Sequence, residues 1–236
     1  MSANHAAFNL IFRFVENYIS PIAGRISSQR HVMAIRDGFI SAMPFMIVGS
    51  FLLVFAYPPF SPDTTWGFAR AWLDLAKEFE GRILTPFDMT MGIMSIYICA
   101  AISYNLGKHY EKSHQLDPFM CAMLSIMAFL LVAAPKTQGT LPVDSLGGTG
   151  IFTAILVAIY CVELMRFLKA HNIGIRLPDQ VPPMIKNSFD LLIPVLVVVL
   201  TLYPLSLFIQ HHFDMLIPQA IICLLYTSDA ADEARS

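Results

Sequence analysis

The sequence has few charged residues and none of the short motifs that mark an enzyme's active site. Asp, Glu, Lys and Arg make up 14% of its 236 residues, against roughly 25% in soluble domains, while hydrophobic residues make up 56%. It contains no glycine-rich phosphate loop before a helix, no Walker lysine, no nucleophile elbow and no HExxH pair. These absences favour an integral membrane protein without chemistry of its own.

Cysteine and metal-ligand patterns are also scarce. The four cysteines form no CxxC pair, and Cys99, Cys121 and Cys161 lie in apolar runs, where a thiol behaves as a small hydrophobe. The seven histidines lie in loops or near the ends of apolar runs, without metal-ligand spacing. We therefore expect no metal, no cofactor and no catalytic residue. A net charge of −2 gives no reason to expect nucleic acid as a partner.

Five apolar runs are long enough, or nearly so, to cross a bilayer with a hydrocarbon core of about 30 Å. Only the fourth carries charged residues, Glu163 and Arg166 near its end. The sequence therefore predicts an all-α membrane protein with five transmembrane helices. The third is short and needs an extra turn or a thinner bilayer. The predicted spans are residues 38–57, 89–107, 119–134, 150–167 and 191–209.

Amphipathic patterns flank the first span. From Phe8 to Ile22, apolar residues recur at three- and four-residue steps, which predicts an amphipathic helix. It carries too many charges for a signal peptide, so we expect it to stay, either in the bilayer interface or packed on the cytoplasmic side of the protein. A second amphipathic helix is predicted around WGFARAWLDLAKEFEG, where Trp66 and Trp72 suit the membrane interface.

The orientation follows from the positions of Lys and Arg near the span ends, because these residues concentrate on the cytoplasmic side. With the N-terminus inside, ten of them are cytoplasmic and four are outside. The N-terminus is therefore predicted to be cytoplasmic. The inner residues are Arg13, Arg25, Arg30, Arg36, Lys108, Lys112, Arg166, Lys169, Arg176 and Lys186, and the outer ones are Arg70, Lys77, Arg82 and Lys136.

Glu163 is the one carboxylate inside a predicted span. Ionisable residues at such positions are candidates for binding substrate or carrying protons. Arg166 follows three residues later on the same helix face, so the two side chains could instead form an ion pair at the level of the lipid headgroups. Pairing is the simpler interpretation, and both remain open at this point.

A proline-rich stretch, IRLPDQVPPMIKNSF, occupies residues 175–189 between the fourth and fifth predicted spans. Proline fixes its own φ angle and disfavours a helical residue before it, so this connector cannot continue the fourth span as a helix. Considered alone, it is best interpreted as a stiff cytoplasmic loop that sets the angle between two spans.

The connector resembles that of enzyme IIC, the sugar-specific membrane component of the phosphoenolpyruvate-dependent phosphotransferase system (PTS), in its lactose, cellobiose and diacetylchitobiose branch. Two further stretches are similar to this family. They are RHVMAIRDGFISAMPFMIVGSFLL at the start of the first span and MTMGIMSIYICAAISYNLG in the second. Together the similar stretches cover residues 8 to about 222. The alternative, an unrelated five-span scaffold or channel subunit, would need none of these motifs.

The resemblance implies a permease that binds a disaccharide or β-glucoside and delivers it to a phosphocysteine on a partner IIB subunit. Enzyme IIC itself carries no phosphate, so this would be a transport subunit and not a catalytic one. The resemblance further implies a homodimer in the bacterial plasma membrane, with IIB and IIA as partners. It makes the connector a candidate IIB-docking surface or hinge, with Arg176, Pro178, Asp179, Pro182, Pro183 and Lys186 as the candidate residues.

The resemblance also predicts that the sugar-binding residues lie outside this chain. The resemblance places the sugar-contacting histidine and carboxylate in a second half that follows the matching residues, so no sugar-binding residue is expected here except Glu163 as a weak candidate. Residues 1–37 are expected to be a cytoplasmic segment and residues 38–222 a truncated membrane domain. The apolar pattern stops at CLLYTSDAADEARS, so residues 223–236 are expected to be a non-native, adaptor-derived tail, with a natural polar tail as the alternative.

Overall fold

The structure is a computed structural model that describes residues 20–134, 143–174, 182 and 189–233. Within these residues the regular structure is entirely helical, without a strand. The α-helices are α1 Ser20–Ser27, α2 Arg30–Ala56, α3 Gly67–Thr90, α4 Met94–His114, α5 Pro118–Ala133, α6 Ile151–Ala170, α7 Leu192–Phe213 and α8 Ile217–Glu233, and a 3-10 turn, Gly148–Gly150, precedes α6.

The predicted all-α membrane class is confirmed. In the described part of the chain, four helical stretches are long and apolar enough to cross a membrane, namely Arg30–Ala56, Gly67–His114, Gly148–Ala170 and Leu192–Phe213. Helix α5 corresponds to the third predicted span, but its 16 residues measure only about 24 Å at 1.5 Å per residue. Of the predicted N-terminal amphipathic helix, residues 8–19 lie outside the described residues.

Two helix boundaries differ from the sequence prediction. The first span was predicted to begin at residue 38, yet α2 begins at Arg30, so it includes His31. The predicted amphipathic helix between the first two spans is present as α3, which extends to Thr90. A turn at residues 91–93 then separates α3 from α4. The helix that corresponds to the second predicted span therefore begins at Met94, and not at residue 89. The turn is tight, since a Cβ on Gly92 would lie 2.5 Å from the carbonyl oxygen of Asp88.

The first turn of α4 is capped by the loop that precedes α6. The backbone N–H of Ser95 donates to the carbonyl oxygen of Leu146 at 2.9 Å, and the Ser95 hydroxyl donates to the carbonyl oxygen of Gly147. Because the N–H groups of a first helical turn have no partner within the helix, this loop satisfies a group that would otherwise be unpaired in the apolar interior. The break between α3 and α4 is therefore stabilised from outside both helices.

Helix α4 lies at the centre of the bundle and packs against α2, α5 and α6. Its buried residues recur at three- and four-residue steps, as expected when one face of a helix meets its neighbours. The three cysteines of the apolar runs are buried and free, as predicted for small hydrophobes. The buried residues of α4 are Ser95, Ile98, Cys99, Ile102, Ser103, Leu106, Gly107 and Tyr110.

The close crossing of α2 and α4 depends on Gly38, and this dependence is testable. A Cβ at this position would lie 2.4 Å from Ile102 Cγ1 and 3.0 Å from the Ile102 backbone nitrogen. We expect Gly38→Ala to lower the free energy of unfolding in detergent by about 1–3 kcal/mol, the usual cost of overpacking. The matched control is Gly81→Ala on α3, where a Cβ would meet nothing within 4 Å. Equal losses in both variants would contradict close packing at Gly38.

Both tryptophans of the chain lie in one aromatic cluster where α2 ends and α3 begins. The rings of Phe55, Phe60, Trp66, Phe68 and Trp72 have neighbouring centroids 5.5–5.9 Å apart. The Trp72 indole N–H also donates to the carbonyl oxygen of Phe55 at 3.2 Å. Trp66 and Phe68 remain largely exposed. Such a cluster suits the boundary between lipid tails and headgroups, as predicted for Trp66 and Trp72.

Candidate functional site

Glu163 lies near the end of α6 and accepts hydrogen bonds from side chains of three helices. Its Oε1 lies 3.0 Å from His31 Nε2 of α2 and 2.8 Å from the Tyr110 hydroxyl of α4. Its Oε2 lies 2.6 Å from Arg166 Nη2. The Glu163 side chain is only 25% exposed. A single partly buried carboxylate therefore joins α2, α4 and α6.

Tyr110 connects this carboxylate to two cations. The guanidinium carbons of Arg30 and Arg166 lie 5.5 Å and 5.1 Å from the centre of the Tyr110 ring. Both distances are typical of cation–π contacts. Tyr110 is almost fully buried. Its hydroxyl donates to Glu163, and its ring contacts the guanidinium groups of Arg30 and Arg166. We call Arg30, His31, Tyr110, Glu163 and Arg166 the Glu163 cluster.

The geometry of the Glu163 cluster is that of a junction between helices. The predicted ion pair between Glu163 and Arg166 is present, with its expected spacing of three residues. A partly buried carboxylate is stable when charged donors and hydroxyl groups surround it. Both carboxylate oxygens already accept from protein donors, which leaves little acceptor capacity for a ligand. The arrangement favours the structural interpretation of Glu163.

The bonds of His31 and Tyr110 to Glu163 were not predicted from the sequence. His31 was interpreted as one of several histidines near span ends without metal-ligand spacing, and its bond to Glu163 was not predicted. Tyr110 was not singled out at all. The usable signal was topological, because the start of α2 and the ends of α4 and α6 lie on the same membrane side when helices alternate in direction. A carboxylate at that level requires donors from neighbouring helix ends.

A second junction lies one helical turn further along α6. Lys169 Nζ donates to the carbonyl oxygen of Gln115 at 2.8 Å and lies 3.2 Å from Asp190 Oδ2. Gln115 ends α4 with a φ of 52°, and Asp190 lies just before α7. The side chains of Lys169 and Asp190 are 27% and 33% exposed. We call Gln115, Lys169 and Asp190 the Lys169 junction.

Most of the candidate docking residues lie outside the described part of the chain. Of the six candidate residues, Pro182 is described by the structure, and it is exposed. The structure does place the two flanks of the connector, Gly174 and Asp190, next to each other, since a Cβ on Gly174 would lie 4.0 Å from Asp190 Oδ1. The candidate residues outside the described ranges are Arg176, Pro178, Asp179, Pro183 and Lys186.

A groove of about 350 Å³ lies between α2, α4 and α5, and its lining is mainly apolar. Phe45 and Tyr97 stack there, with ring centroids 4.4 Å apart. Three polar groups of the lining already bond to backbone carbonyl oxygens: Ser41 donates to that of Asp37, Asn105 Nδ2 to that of Ala101, and the Tyr97 hydroxyl to that of Met89 in α3. The groove therefore suits hydrocarbon better than a sugar. In the described ranges, no group of three or more His, Cys, Asp or Glu could hold a metal ion.

Comparison with known proteins defines the class to which this bundle belongs. Residues 36–231 match the family described as phosphotransferase system, EIIC. The chain therefore belongs to the PTS EIIC family and is a multi-pass membrane protein. This confirms the resemblance based on the connector and on the first two spans, and it rules out an unrelated scaffold or channel subunit. The match extends past residue 222, as does α8, and the origin of residues 223–236 stays a prediction.

The similar proteins include PTS components named for cellobiose and for lactose. The chain is 35% identical to the PTS system cellobiose-specific EIIC component of Geobacillus stearothermophilus, covering 79% of this chain and 43% of that protein. It is 32% identical to the PTS system lactose-specific EIICB component of Streptococcus mutans, covering 87% of this chain and 35% of that protein. The chain thus spans less than half the length of these curated relatives.

A solved structure has the same fold. It is the crystal structure of the transporter ChbC, the IIC component from the N,N'-diacetylchitobiose-specific phosphotransferase system. The TM-score is 0.75 at 31% sequence identity, over 92% of this chain and 51% of that one. The described bundle therefore corresponds to about half of the solved transporter.

Proposed function

We propose that this chain is part of a PTS sugar permease, an enzyme IIC that moves a disaccharide or β-glucoside of the cellobiose, chitobiose or lactose type across the bacterial plasma membrane. The observation that carries this proposal is the structural similarity to ChbC over 92% of the chain. The sugar would be phosphorylated on the cytoplasmic side by a IIB partner, which receives its phosphate from IIA. Relatives named EIICB, in which the two components form one protein, support the IIB partner.

The proposed topology has five spans, an N-terminal amphipathic helix and a cytoplasmic N-terminus. It counts α5 as a span, supported by a 16-residue helix that carries no charge. In this topology the Glu163 cluster and the Lys169 junction both lie at the cytoplasmic side, which agrees with the concentration of basic residues there. The exposed apolar faces of α2 and α7 would contact lipid or the second subunit of a homodimer.

The orientation can be tested with single cysteines at Lys112 and Val143, which are both exposed. The background is Cys223→Ser, because Cys223 is exposed while the other three cysteines are buried. We expect an impermeant thiol reagent added to intact cells to label position 143 and not position 112, and to label both after the membrane is opened. Labelling of position 112 in intact cells would reverse the proposed orientation.

Sugar recognition is proposed to need residues beyond those of this chain. A sugar site requires several convergent polar groups within apolar walls. In the described residues, the carboxylate of Glu163 is already bonded to three side chains, and the groove between α2, α4 and α5 presents mainly apolar surface. We therefore place the sugar site in the part of the longer relatives that this chain does not cover, and we assign a scaffold role to this chain.

The proposed function is tested by the uptake of labelled cellobiose and diacetylchitobiose in cells that lack their own permease. The chain alone is expected to give no saturable uptake. A chimera that joins residues 1–222 to the second half of the cellobiose-specific relative is expected to give saturable uptake that requires IIB. A chimera that is inserted in the membrane but gives no uptake would contradict the permease function. Saturable uptake by the chain alone would contradict the scaffold role.

A further inference from the structure

The Glu163 cluster carries more positive than negative charge. Its two arginines and single carboxylate leave one positive charge in excess, even when His31 is neutral. Glu163 pairs with Arg166, whereas Arg30 forms no ion pair with a described residue. The Arg166 Nε–H is buried and has no hydrogen-bond partner in the described part of the chain. The cluster therefore keeps a positive charge that is not neutralised and a donor that is not used.

The start of α2 adds to this excess of positive charge. Arg30 is the first residue of α2, the first turn contains no acidic residue, and Gln29 at the N-cap makes no side-chain hydrogen bond to the helix. The first N–H groups of a helix lack partners within it and carry partial positive charge, so a nearby anion is stabilising. Here the protein supplies Arg30 and His31 instead. An anion beside the two arginines would lower the electrostatic free energy of the whole cluster.

The cluster lies on a helix face that is otherwise apolar and exposed. Glu163 lies seven residues after Leu156 and four before Phe167, so the three side chains share one face of α6. Leu156 and Phe167 are 55% and 54% exposed. The stretch Gly148–Ala170 is long and apolar enough to cross a membrane, and charged groups near the end of such a stretch reach the headgroup level. The anion that is most abundant at this level is a lipid phosphate.

We propose that Arg30 and Arg166 bind the phosphate group of an anionic phospholipid, whose acyl chains lie along the exposed face of α6. Basic pockets between membrane helices are suited to such headgroups. Tyr110 positions the two guanidinium groups, since both contact its ring. Glu163 holds Arg166 in place and leaves enough positive charge for one phosphate. The site requires insertion in a membrane and is independent of sugar transport.

The headgroup preference of this chain tests the proposal. The chain in detergent is mixed with equal amounts of dioleoyl phosphatidylglycerol and dioleoyl phosphatidylcholine, and bound lipid is quantified by native mass spectrometry. We expect the parent chain to prefer phosphatidylglycerol about tenfold, and Arg30→Gln to lower this preference about fivefold, the contribution of one basic residue near an anionic headgroup. An unchanged preference in Arg30→Gln would overturn the proposal.

The matched control is Lys77→Gln, which removes one positive charge from an exposed position on α3. It is expected to keep the preference of the parent chain. Equal losses in Lys77→Gln and Arg30→Gln would show attraction to net charge alone and would overturn a specific site. Arg166→Gln is expected to lower the preference as Arg30→Gln does. If it unfolds, Arg30→Glu takes its place and is expected to abolish the preference, whereas a parent-like preference is again contrary to the proposal.

Three further measurements distinguish other occupants of the cluster. Inorganic phosphate in large excess is expected to leave bound phosphatidylglycerol unchanged, and displacement would assign the site to a free anion and overturn the lipid. Arg30→Gln is expected to keep the oligomeric state seen by light scattering, and a change would assign the cluster to a contact between copies of the chain. The chimera with residues 1–222 is expected to show the same lipid preference, and its loss there would mean that the second half covers the cluster. A chimera that keeps the preference without sugar uptake would contradict the proposed function only.

Discussion

Replacing Glu163 with alanine is expected to lower the free energy of unfolding in detergent by about 2–3 kcal/mol, because it removes the acceptor of three donors at a partly buried site. His31 Nε2, the Tyr110 hydroxyl and Arg166 Nη2 would all lose their partner. The three helices that meet at Glu163 would then lose their shared contact at this end of the bundle. The measurement is an unfolding curve in detergent.

Two further variants show whether the effect belongs to the Glu163 cluster. Glu111→Ala removes an exposed carboxylate from α4 and is expected to change stability by less than about 0.5 kcal/mol. Glu163→Gln keeps an acceptor oxygen for Tyr110 and is expected to lie between the parent and Glu163→Ala. In the chimeric permease, Glu163→Gln should retain sugar uptake. A stable Glu163→Gln variant without uptake would instead favour a direct role for Glu163 in sugar or proton transfer.

The second large effect concerns the prolines of the connector. Each proline restricts the free chain, and replacing one with alanine adds roughly 0.4–1 kcal/mol to the cost of ordering the segment. In the chimera, the triple variant Pro178→Ala, Pro182→Ala, Pro183→Ala is therefore expected to weaken IIB-dependent phosphorylation about tenfold. The affinity for sugar should stay near that of the parent chimera, because the proposed sugar contacts lie elsewhere.

The same experiment distinguishes the two interpretations of the connector. Sugar binding and IIB-dependent phosphorylation are measured on the same preparation. Equal loss of sugar binding and phosphorylation, or loss of neither, would support the interpretation of the connector as a stiff loop between spans. Charge reversal at Lys186 should in addition weaken turnover most strongly at low salt, because exposed charges at the rim of an interface act mainly on association.

Much of the fold could be predicted because membrane helices are encoded locally. Apolar runs predicted the all-α class and the approximate positions of five helices, α2, α4, α5, α6 and α7, and the amphipathic pattern predicted the helix α3. The Glu163–Arg166 pair was also predictable, since residues three apart share a helix face. The family could be predicted from three short motifs because they are spread along the chain, from Arg30 to Phe189.

The contacts of the candidate site could not be predicted in the same way. His31 and Glu163 are separated by 132 positions, and Tyr110 and Glu163 by 53, so no helical period relates them. The pairing of Lys169 with Asp190 joins residues 21 positions apart on two different helix ends, and neither proline content nor loop length indicates it. The early start of α2 was missed because Arg30, Arg36 and Asp37 interrupt the apolar run, although such residues are compatible with a helix beyond the membrane.

The most direct test of the account is the product formed by the chimeric permease in liposomes with phosphorylated IIB on one side only. Labelled cellobiose is supplied on the opposite side, and the two compartments are analysed for free and phosphorylated sugar. We predict that cellobiose phosphate accumulates on the IIB side and that little sugar crosses without IIB. Rapid passage of free cellobiose in the absence of IIB, with no phosphorylated product in its presence, would contradict the assignment of this chain to a phosphotransferase permease.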